Sequence, residues 1–173
     1  MLKKLSLLLS VMLLWSPPSY SQKGDFMSVP EFAEQVFGDI SPWQTLWLNN
    51  DQKSQLSDAL NRPFRQLRLR YMQESETTLW IFDEIGKELP ITIGLAVNDQ
   101  GIAALQILTY RESRGGEVRM AAFREQFLGA SLIEDELDQP IDGITGATMS
   151  VWTVKRAATA ALLCHQWVRG NAR

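Results

Sequence analysis

The stretch Asp142-Gly143-Ile144-Thr145-Gly146-Ala147-Thr148-Met149-Ser150 organises the rest of the chain. Two glycines and an alanine leave its backbone with little side-chain bulk, as is needed where another molecule approaches the main chain closely. Directly after it, apolar residues recur at roughly helical spacing, at Val151, Val154, Ala158, Ala161, Leu162 and either Cys164 or Val168. The stretch therefore predicts a loop that leads into the N-terminus of a final helix.

Such a helix start favours an anion. Its first N–H groups lack intrahelical partners and its macrodipole is positive at this end, which together stabilise a phosphate by roughly 0.3 to 2 kcal/mol. A simpler interpretation is also open. Thr148 or Ser150 would then be the N-cap of the helix, and the glycines would belong to an ordinary turn.

Two segments of the chain resemble a known family. Asp142-Gly143-Ile144-Thr145-Gly146-Ala147-Thr148 resembles the Asp-Gly-x-(Ser/Thr)-Gly-Ala-Thr signature of the FMN-binding domain family. Upstream, Tyr110-Arg111-Glu112-Ser113-Arg114-Gly115-Gly116 precedes Phe123-Arg124-Glu125-Gln126-Phe127-Leu128-Gly129. These two segments resemble, in the same order, the family's His-x-Glu-Thr-Pro-Gly-like loop and its Phe-x-x-Gln-Phe-x-Gly segment. Ser113-Arg114 replaces the usual Thr-Pro, and Tyr110 stands near the usual His. The resemblance covers about residues 91–168.

The resemblance implies that FMN is attached through a phosphodiester to the last threonine, Thr148, by a flavin transferase that uses FAD as the FMN donor. The implied cofactor-binding residues come from both segments and are Asp142, Thr145, Gly146, Ala147, Thr148, Met149, Ser150, Glu112, Ser113, Arg114, Gly115 and Gly116. Arg111 or Arg114 would hydrogen-bond a flavin carbonyl or the phosphate. A plain polar loop is the alternative for residues 112–116.

Asp142 has two candidate roles. It orders the turn through an Asx hydrogen bond, which we expect in the isolated protein, or it helps the transferase to organise metal and FAD. Thr145, Ser150 and Thr153 compete with Thr148 as attachment sites. Among them, Ser150 is expected to be a helix cap and Thr153 to lie inside the helix.

The implied function is that of an exported electron carrier. No general acid-base pair and no second cofactor motif accompany the flavin segments, so the sequence predicts no catalytic residue and leaves enzyme activity open. The expected redox partners are proteins, such as a membrane reductase or a cytochrome. Two alternatives remain open. The first is a flavin-binding accessory or sensor module without redox activity. The second is a small structural domain in which the Thr-Gly-Ala-Thr segment is an ordinary helix N-terminus.

Composition excludes several other classes. A formal net charge of -3 offers no basic surplus for a nucleic-acid partner. One cysteine, Cys164, and one histidine, His165, provide neither a metal site nor a Ser-His-Asp triad. We expect Cys164 to be buried and His165 to lie at the surface or cap a helix. The acidic run Glu134-Asp135-Glu136 with Asp138 is either solvated or a dock for a basic partner.

The first 21 residues have the pattern of a secretion signal. Lys3 and Lys4 precede an apolar run from Leu5 to Trp15, and Ser19-Tyr20-Ser21 predicts cleavage before Gln22. The protein would then be periplasmic or otherwise exported. The alternative is an uncleaved segment that anchors it to a membrane. Residues 22–173 are interpreted as a single FMN-binding domain, with a helical part at 22–63 and a sheet and attachment part at 64–173.

The remaining patterns predict an α+β fold in which an antiparallel meander packs against helices. Val29 to Phe37 predicts a helix that ends at Gly38, Ser41-Pro42 opens a further turn carrying Trp43, Leu46 and Trp47, and Asn50 or Asp51 caps a helix ending at Leu60. These aromatic residues are expected in the core. Period-two patterns then predict strands from Phe64 to Tyr71 with Leu67 inward, and at 78–85, 91–97 and 102–110.

Overall fold

The computed structural model describes residues 23–170, so the predicted leader at 1–21 and its cleavage before Gln22 lie outside the described residues. Within this range the chain folds as an α+β structure around one antiparallel sheet. The strands are β1 (Gly24–Asp25), β2 (Trp43–Trp47), β3 (Arg68–Glu74), β4 (Thr77–Ile85), β5 (Pro90–Asn98), β6 (Gly101–Tyr110), β7 (Leu132–Ile133) and β8 (Glu136–Leu137). The helices are α1 (Val29–Phe37), α2 (Asn50–Leu60), α3 (Ala121–Arg124) and α4 (Thr148–Gly170), with 3-10 turns at Gly116–Arg119 and Glu125–Phe127.

The main sheet has the strand order β1-β6-β5-β4-β3-β2, and every neighbouring pair is antiparallel. Its two faces are covered by different helices. Phe32 of α1 packs with Met72 and Leu79 on one face, whereas Tyr71 and Trp80 belong to the core beneath α2 and α4. This separation follows from the alternation of side chains along a strand. The predicted meander with a closing helix on one face is confirmed.

Helix α1 begins and ends as its sequence predicts. The Ser28 hydroxyl accepts a hydrogen bond from the Glu31 N–H at 3.3 Å, and the Glu31 carboxylate accepts one from the Ser28 N–H at 2.6 Å. This capping box satisfies two N–H groups at the helix start. At the other end, Gly38 has a φ of 81° and closes the helix.

The prediction of a helical part at 22–63 is wrong between its two helices. Residues 43–47 form strand β2, which pairs with β3. Leu46 is buried in the main core, but Trp43 and Trp47 remain 39% and 66% exposed, so these two aromatic residues are not core residues. Aromatic residues favour strands once a partner strand is present. Helix α2 is capped by Asn49, not by Asn50 or Asp51, through a reciprocal hydrogen-bond pair with Gln52.

Strands β4 to β6 lie where the period-two patterns place them, but β3 begins at Arg68, four residues after the predicted start at Phe64. Leu67 precedes β3 and is 64% exposed, so its predicted inward orientation is wrong. Tyr71 and Trp80 stack in the core with ring centroids 4.8 Å apart. The acidic run forms the exposed hairpin of β7 and β8, in which the Asp138 carboxylate accepts hydrogen bonds from the Ser131 N–H and hydroxyl.

Helix α4 carries the predicted buried face, and Cys164 is fully buried, which raises the pKa of its thiol. The expectation for His165 is wrong. It is buried, its Nδ1 lies 2.8 Å from the Thr78 hydroxyl, and its Nε2 lies 3.5 Å from Asp99. Burial lowers the pKa of His165, although Asp99 opposes that shift. Thr78 also accepts the indole N–H of Trp80, so its own hydroxyl proton is free to bond His165.

Residues 23–170 contain neither a membrane-spanning helix nor a cluster of metal ligands. None of the helices there is both long and apolar enough to cross a bilayer. Nor do histidine, cysteine, aspartate and glutamate side chains in this range gather in threes or more around a possible metal position.

Candidate functional site

A tight turn delivers the chain to the start of α4. The Ala147 N–H donates to the Ile144 carbonyl at 2.9 Å, and Gly146, third in this turn, has a φ of 83°. That conformation at the third position defines a type II turn, which requires glycine or asparagine there. The Ala147 carbonyl then accepts the first helical bond, from Val151 at 3.0 Å. Thr148 is therefore the first residue of the helix.

The four hydroxyl residues near this turn have different environments. Thr145 and Thr148 are exposed, whereas Ser150 is 4% exposed and Thr153 is fully buried. The Thr153 hydroxyl lies 2.9 Å from both the Ile85 and the Met149 carbonyl oxygens, so its proton is committed inside the protein. The geometry leaves Thr145 and Thr148 as the accessible nucleophiles of this segment.

Ser150 does not cap the helix, contrary to expectation. Its hydroxyl lies 2.8 Å from the Tyr110 hydroxyl, which itself donates to the Arg114 carbonyl at 2.5 Å. The Tyr110 hydroxyl donates its proton to the Arg114 carbonyl, so the Ser150 hydroxyl must be the donor to Tyr110. This chain of hydrogen bonds joins the end of β6, the 112–116 loop and the first turn of α4. Burial raises the pKa of Tyr110, and the Ser150 hydrogen bond acts in the opposite direction.

Gly115 allows the loop to approach the helix closely. Its φ is 84°, and a Cβ at this position would lie 2.7 Å from the Ser150 Oγ and 2.9 Å from the Tyr110 Oη. Neither oxygen can move away, because the hydrogen bonds just described hold both in place. Only glycine therefore fits between the two segments.

Glu112 points into the protein and holds the turn between β4 and β5. Its Oε1 accepts the N–H groups of Lys87, Glu88 and Leu89 at 2.6, 2.6 and 2.8 Å. Burial acts to raise the pKa of Glu112, but the three N–H groups together outweigh it, and the pKa lies below its ordinary value. The carboxylate thus joins the 112–116 loop to a third segment, residues 86–89.

The two arginines of the loop face different surroundings. Arg111 donates to the Pro90 carbonyl at 3.2 Å and to the Thr92 hydroxyl at 3.0 Å, so its guanidinium lies along the sheet. The Arg114 side chain is exposed and lines the cavity beside the helix start. Of the two, Arg114 is the one placed to meet an anion there.

Asp142 differs from its expected role. Its N–H donates to the Gln126 Oε1 at 2.7 Å, but its exposed carboxylate accepts no hydrogen bond from residues 23–170, so the predicted Asx hydrogen bond is absent. The backbone carbonyl of Gln126 also accepts a hydrogen bond from the side-chain amide of Gln139. The 123–129 segment therefore holds the chain that enters the turn, and the Asp142 carboxylate remains available to another molecule.

These segments enclose a cavity of about 540 Å³. It is lined by residues 112–114 of the loop, residues 146–150 at the helix start, and Lys87 and Glu88 from the turn between β4 and β5. The other predicted site residues, Gly115, Gly116, Thr145 and Asp142, lie outside this lining. Small-molecule sites commonly enclose 300 to 1,000 Å³. Larger cavities of about 670 and 570 Å³ lie elsewhere, and neither includes the helix start.

The donor set of this cavity fits a phosphorylated organic cofactor. The exposed Thr148 hydroxyl, the free N–H groups of the first helical turn, Lys87 and Arg114 suit a phosphate, and Met149 offers an apolar surface for a planar ring. Sequence patterns alone did not indicate Tyr110, Gln126, Lys87 or Glu88. Their roles depend on contacts between distant segments, although Tyr110 and Gln126 stood within the segments singled out for resemblance.

The fold is that of a small α+β domain whose cavity lies at the N-terminus of a helix. Residues 86–163 match the family model described as FMN-binding domain. This match supports FMN as the cofactor of the site. Comparison with curated proteins gives no match to the chain.

Proposed function

We propose that this protein is an exported flavoprotein that carries FMN covalently on Thr148 and transfers electrons between partner proteins. One observation carries the proposal. Thr148 exposes its hydroxyl on the first turn of α4, at the mouth of a cavity shared with the 112–116 loop, within the part of the chain that matches the FMN-binding domain.

The position of Thr148 suits a phosphodiester. A phosphate on its Oγ1 lies next to the N–H groups of the first helical turn, which have no partner within the helix. The positive end of the helix dipole adds roughly 0.3 to 2 kcal/mol. Thr145 is the second residue of the turn that ends at Ala147, and it lies outside the cavity lining. Both arguments favour Thr148.

The attachment reaction needs a flavin transferase and FAD. The Thr148 oxygen forms a bond to the phosphorus of the FMN half, the pyrophosphate bond breaks, AMP leaves, and the hydroxyl proton is released. The side chains at Gly146 and Ala147 are too small to block access to Thr148. The unpaired Asp142 carboxylate, outside the cavity, is available to the transferase or to the metal ion that accompanies FAD.

The chain's own residues would then position the cofactor. Arg114 and Lys87 place positive charge at the cavity, and Met149 gives an apolar contact. Bound FMN accepts and releases one or two electrons, while the protein determines its position and electrostatics. A covalent link keeps the cofactor from being lost by dilution outside the cytoplasm. A membrane reductase or a cytochrome would be the redox partner.

The test is coexpression with a flavin transferase in FAD-replete cells, followed by mass spectrometry. The tryptic peptide 125–155 contains Thr145, Thr148, Ser150 and Thr153, so fragmentation of this peptide must locate the added mass. We expect the mass of FMN less one water on Thr148. Thr148→Ala should remove it, Thr148→Ser should retain part of it, and the matched control Thr145→Ala should retain all of it.

Folding must be checked in the same variants. Thr148 is exposed, so Thr148→Ala should change the free energy of unfolding by no more than about 1 kcal/mol. Flavin on a Thr148→Ala chain, or its loss from Thr145→Ala alone, would place the attachment elsewhere. If FMN is attached but cannot be reduced and reoxidised reversibly, the protein is an accessory or sensor module and not an electron carrier.

A further inference from the structure

The sheet has an open edge at β2, which pairs on one side only, with β3. The Leu48 N–H donates to the Leu67 carbonyl at 3.0 Å, and the antiparallel register continues from that pair. Because hydrogen-bonded and non-hydrogen-bonded pairs alternate, the backbone groups of Trp43, Thr45 and Trp47 point away from the sheet. No residue in 23–170 pairs with these groups.

This edge lacks the usual protection against strand pairing. Natural edges are blunted by charged residues, proline or a bulge. Strand β2 has the sequence Trp-Gln-Thr-Leu-Trp, contains neither a charge nor a proline, and pairs with β3 in unbroken register. Its outward backbone groups are therefore ready to receive another strand.

Positive charge lies directly over this edge. The Arg70 Cζ is 4.8 Å from the centre of the Trp43 ring, and the Arg68 Cζ is 5.6 Å from that of Trp47. Both arginines belong to β3, and their guanidinium groups lie over the tryptophan rings of β2. Neither of them, nor exposed Arg65, forms an ion pair with an acidic residue of 23–170.

A guanidinium stacked on a tryptophan ring keeps its N–H edge free for an oxygen acceptor, and it binds a carboxylate in a bidentate manner. Arg68 and Arg70 are two residues apart on one face of a strand, about 6.7 Å along its axis. Carboxylates on alternate residues of an extended chain have the same spacing. The charge and the spacing of this edge are thus complementary to an acidic strand.

We propose that β2 binds an extended acidic segment of a partner protein as an additional strand of the sheet. Pairing with a second copy of this chain is disfavoured, because it would bring two sets of Arg68 and Arg70 together without counter-charges. An anionic lipid surface would satisfy the arginines but would not pair the outward N–H and C=O groups in register. Residues 43–70 lie outside the matched range 86–163, so this inference does not depend on the flavin site.

The probe is the acetylated and amidated peptide Thr-Glu-Val-Glu-Val-Glu-Thr, titrated into the full-length protein and followed by tryptophan fluorescence and calorimetry. We expect binding that weakens with added salt. Methylation of alternate backbone nitrogens leaves the side chains intact but prevents strand pairing. Methylation on the edge of the peptide that faces β2 should weaken binding at least about tenfold. The peptide with lysine in place of glutamate should not bind.

Protein variants test the same proposal from the other side. Arg68→Gln with Arg70→Gln should weaken binding of the glutamate peptide at least about tenfold, and the matched control Arg65→Gln should stay within about twofold. Thr45→Pro removes one outward N–H from the edge and should also weaken binding. If Thr45→Pro unfolds the edge, the N-methylated peptide still decides the question.

Three results would overturn the proposal. One is equal affinity for the plain and the N-methylated peptides, and another is equal affinity of the wild type and the double arginine variant for the glutamate peptide. The third is binding to phosphatidylglycerol vesicles that depends on Arg68 and Arg70 without any binding of the peptide. That result would assign the surface to a membrane.

Discussion

At the residue scale, the site depends on side chains that join segments distant in sequence. Tyr110 and Ser150 are 40 positions apart, and Glu112 bonds a turn more than 20 positions before it. The sequence predicted the loop and the helix that follows it, because glycines and a helical pattern are local signals. It could not assign Ser150, whose partner Tyr110 is reached only through the fold.

Glu112 gives a prediction on the pH dependence of stability. Replacing the carboxylate by an amide in Glu112→Gln weakens three charge-assisted hydrogen bonds, so the free energy of unfolding at pH 7 should fall by about 1 to 3 kcal/mol. The control Glu88→Gln alters an exposed pair with Lys87 and should cost less than about 0.5 kcal/mol. Denaturant unfolding of both variants measures these values.

The sign of the pH effect follows from the lowered pKa of Glu112. Its contribution to stability is complete above the ordinary pKa of 4.5 and is lost as the pH falls through the lower value in the folded protein. Glu112→Gln cannot titrate at this position, so the difference between wild type and variant should narrow below pH 4.5. A difference that stays constant from pH 7 to pH 3 would contradict this role.

At the element scale, the strands of the central sheet were predictable and the edge was not. Strands β3 to β6 follow one another through short turns, so alternation and turn residues determine them locally. In β2, Trp43, Leu46 and Trp47 are spaced as they would be on a helix. The partner strand β3 begins only after α2, and pairing with it decides the conformation. Local patterns cannot reveal such a partner.

The attachment of α4 to the sheet gives a prediction at the same scale. In Thr78→Val the shape is kept, but the Trp80 indole N–H and the His165 Nδ1 lose their shared partner inside the core. Each unsatisfied group costs about 1 to 3 kcal/mol, so the free energy of unfolding of the variant, measured with denaturant, should fall by roughly 2 to 6 kcal/mol. Thr77→Val, next to it and without a side-chain hydrogen bond in the described range, is the control. Equal stability of the two variants would show that this buried contact is unimportant.

At the scale of the whole molecule, residues before the matched range complete its core. Leu46, Leu56 and Phe64 lie in the same hydrophobic cluster as Val154 and Ala161 of α4. Burial of this apolar surface stabilises the helix that presents Thr148. The sequence predicted the class of fold from element types, but the sharing of one core by the two parts follows only from the packing.

The last prediction concerns the N-terminal processing that the proposed export requires. The first described strand, β1, starts at Gly24 and pairs with β6, and Phe26 donates to the Leu108 carbonyl at 2.8 Å. Cleavage before Gln22 therefore removes none of the described contacts, and the protein recovered after export should begin with Gln22-Lys23-Gly24 on N-terminal sequencing.

Ser21→Leu places a bulky residue where the peptidase requires a small one, so the unprocessed chain should accumulate. Tyr20→Ala, between the two small positions, should be processed normally. Recovery of the wild type with Met1 intact would favour a retained N-terminal anchor, and normal processing of Ser21→Leu would place the cleavage site elsewhere.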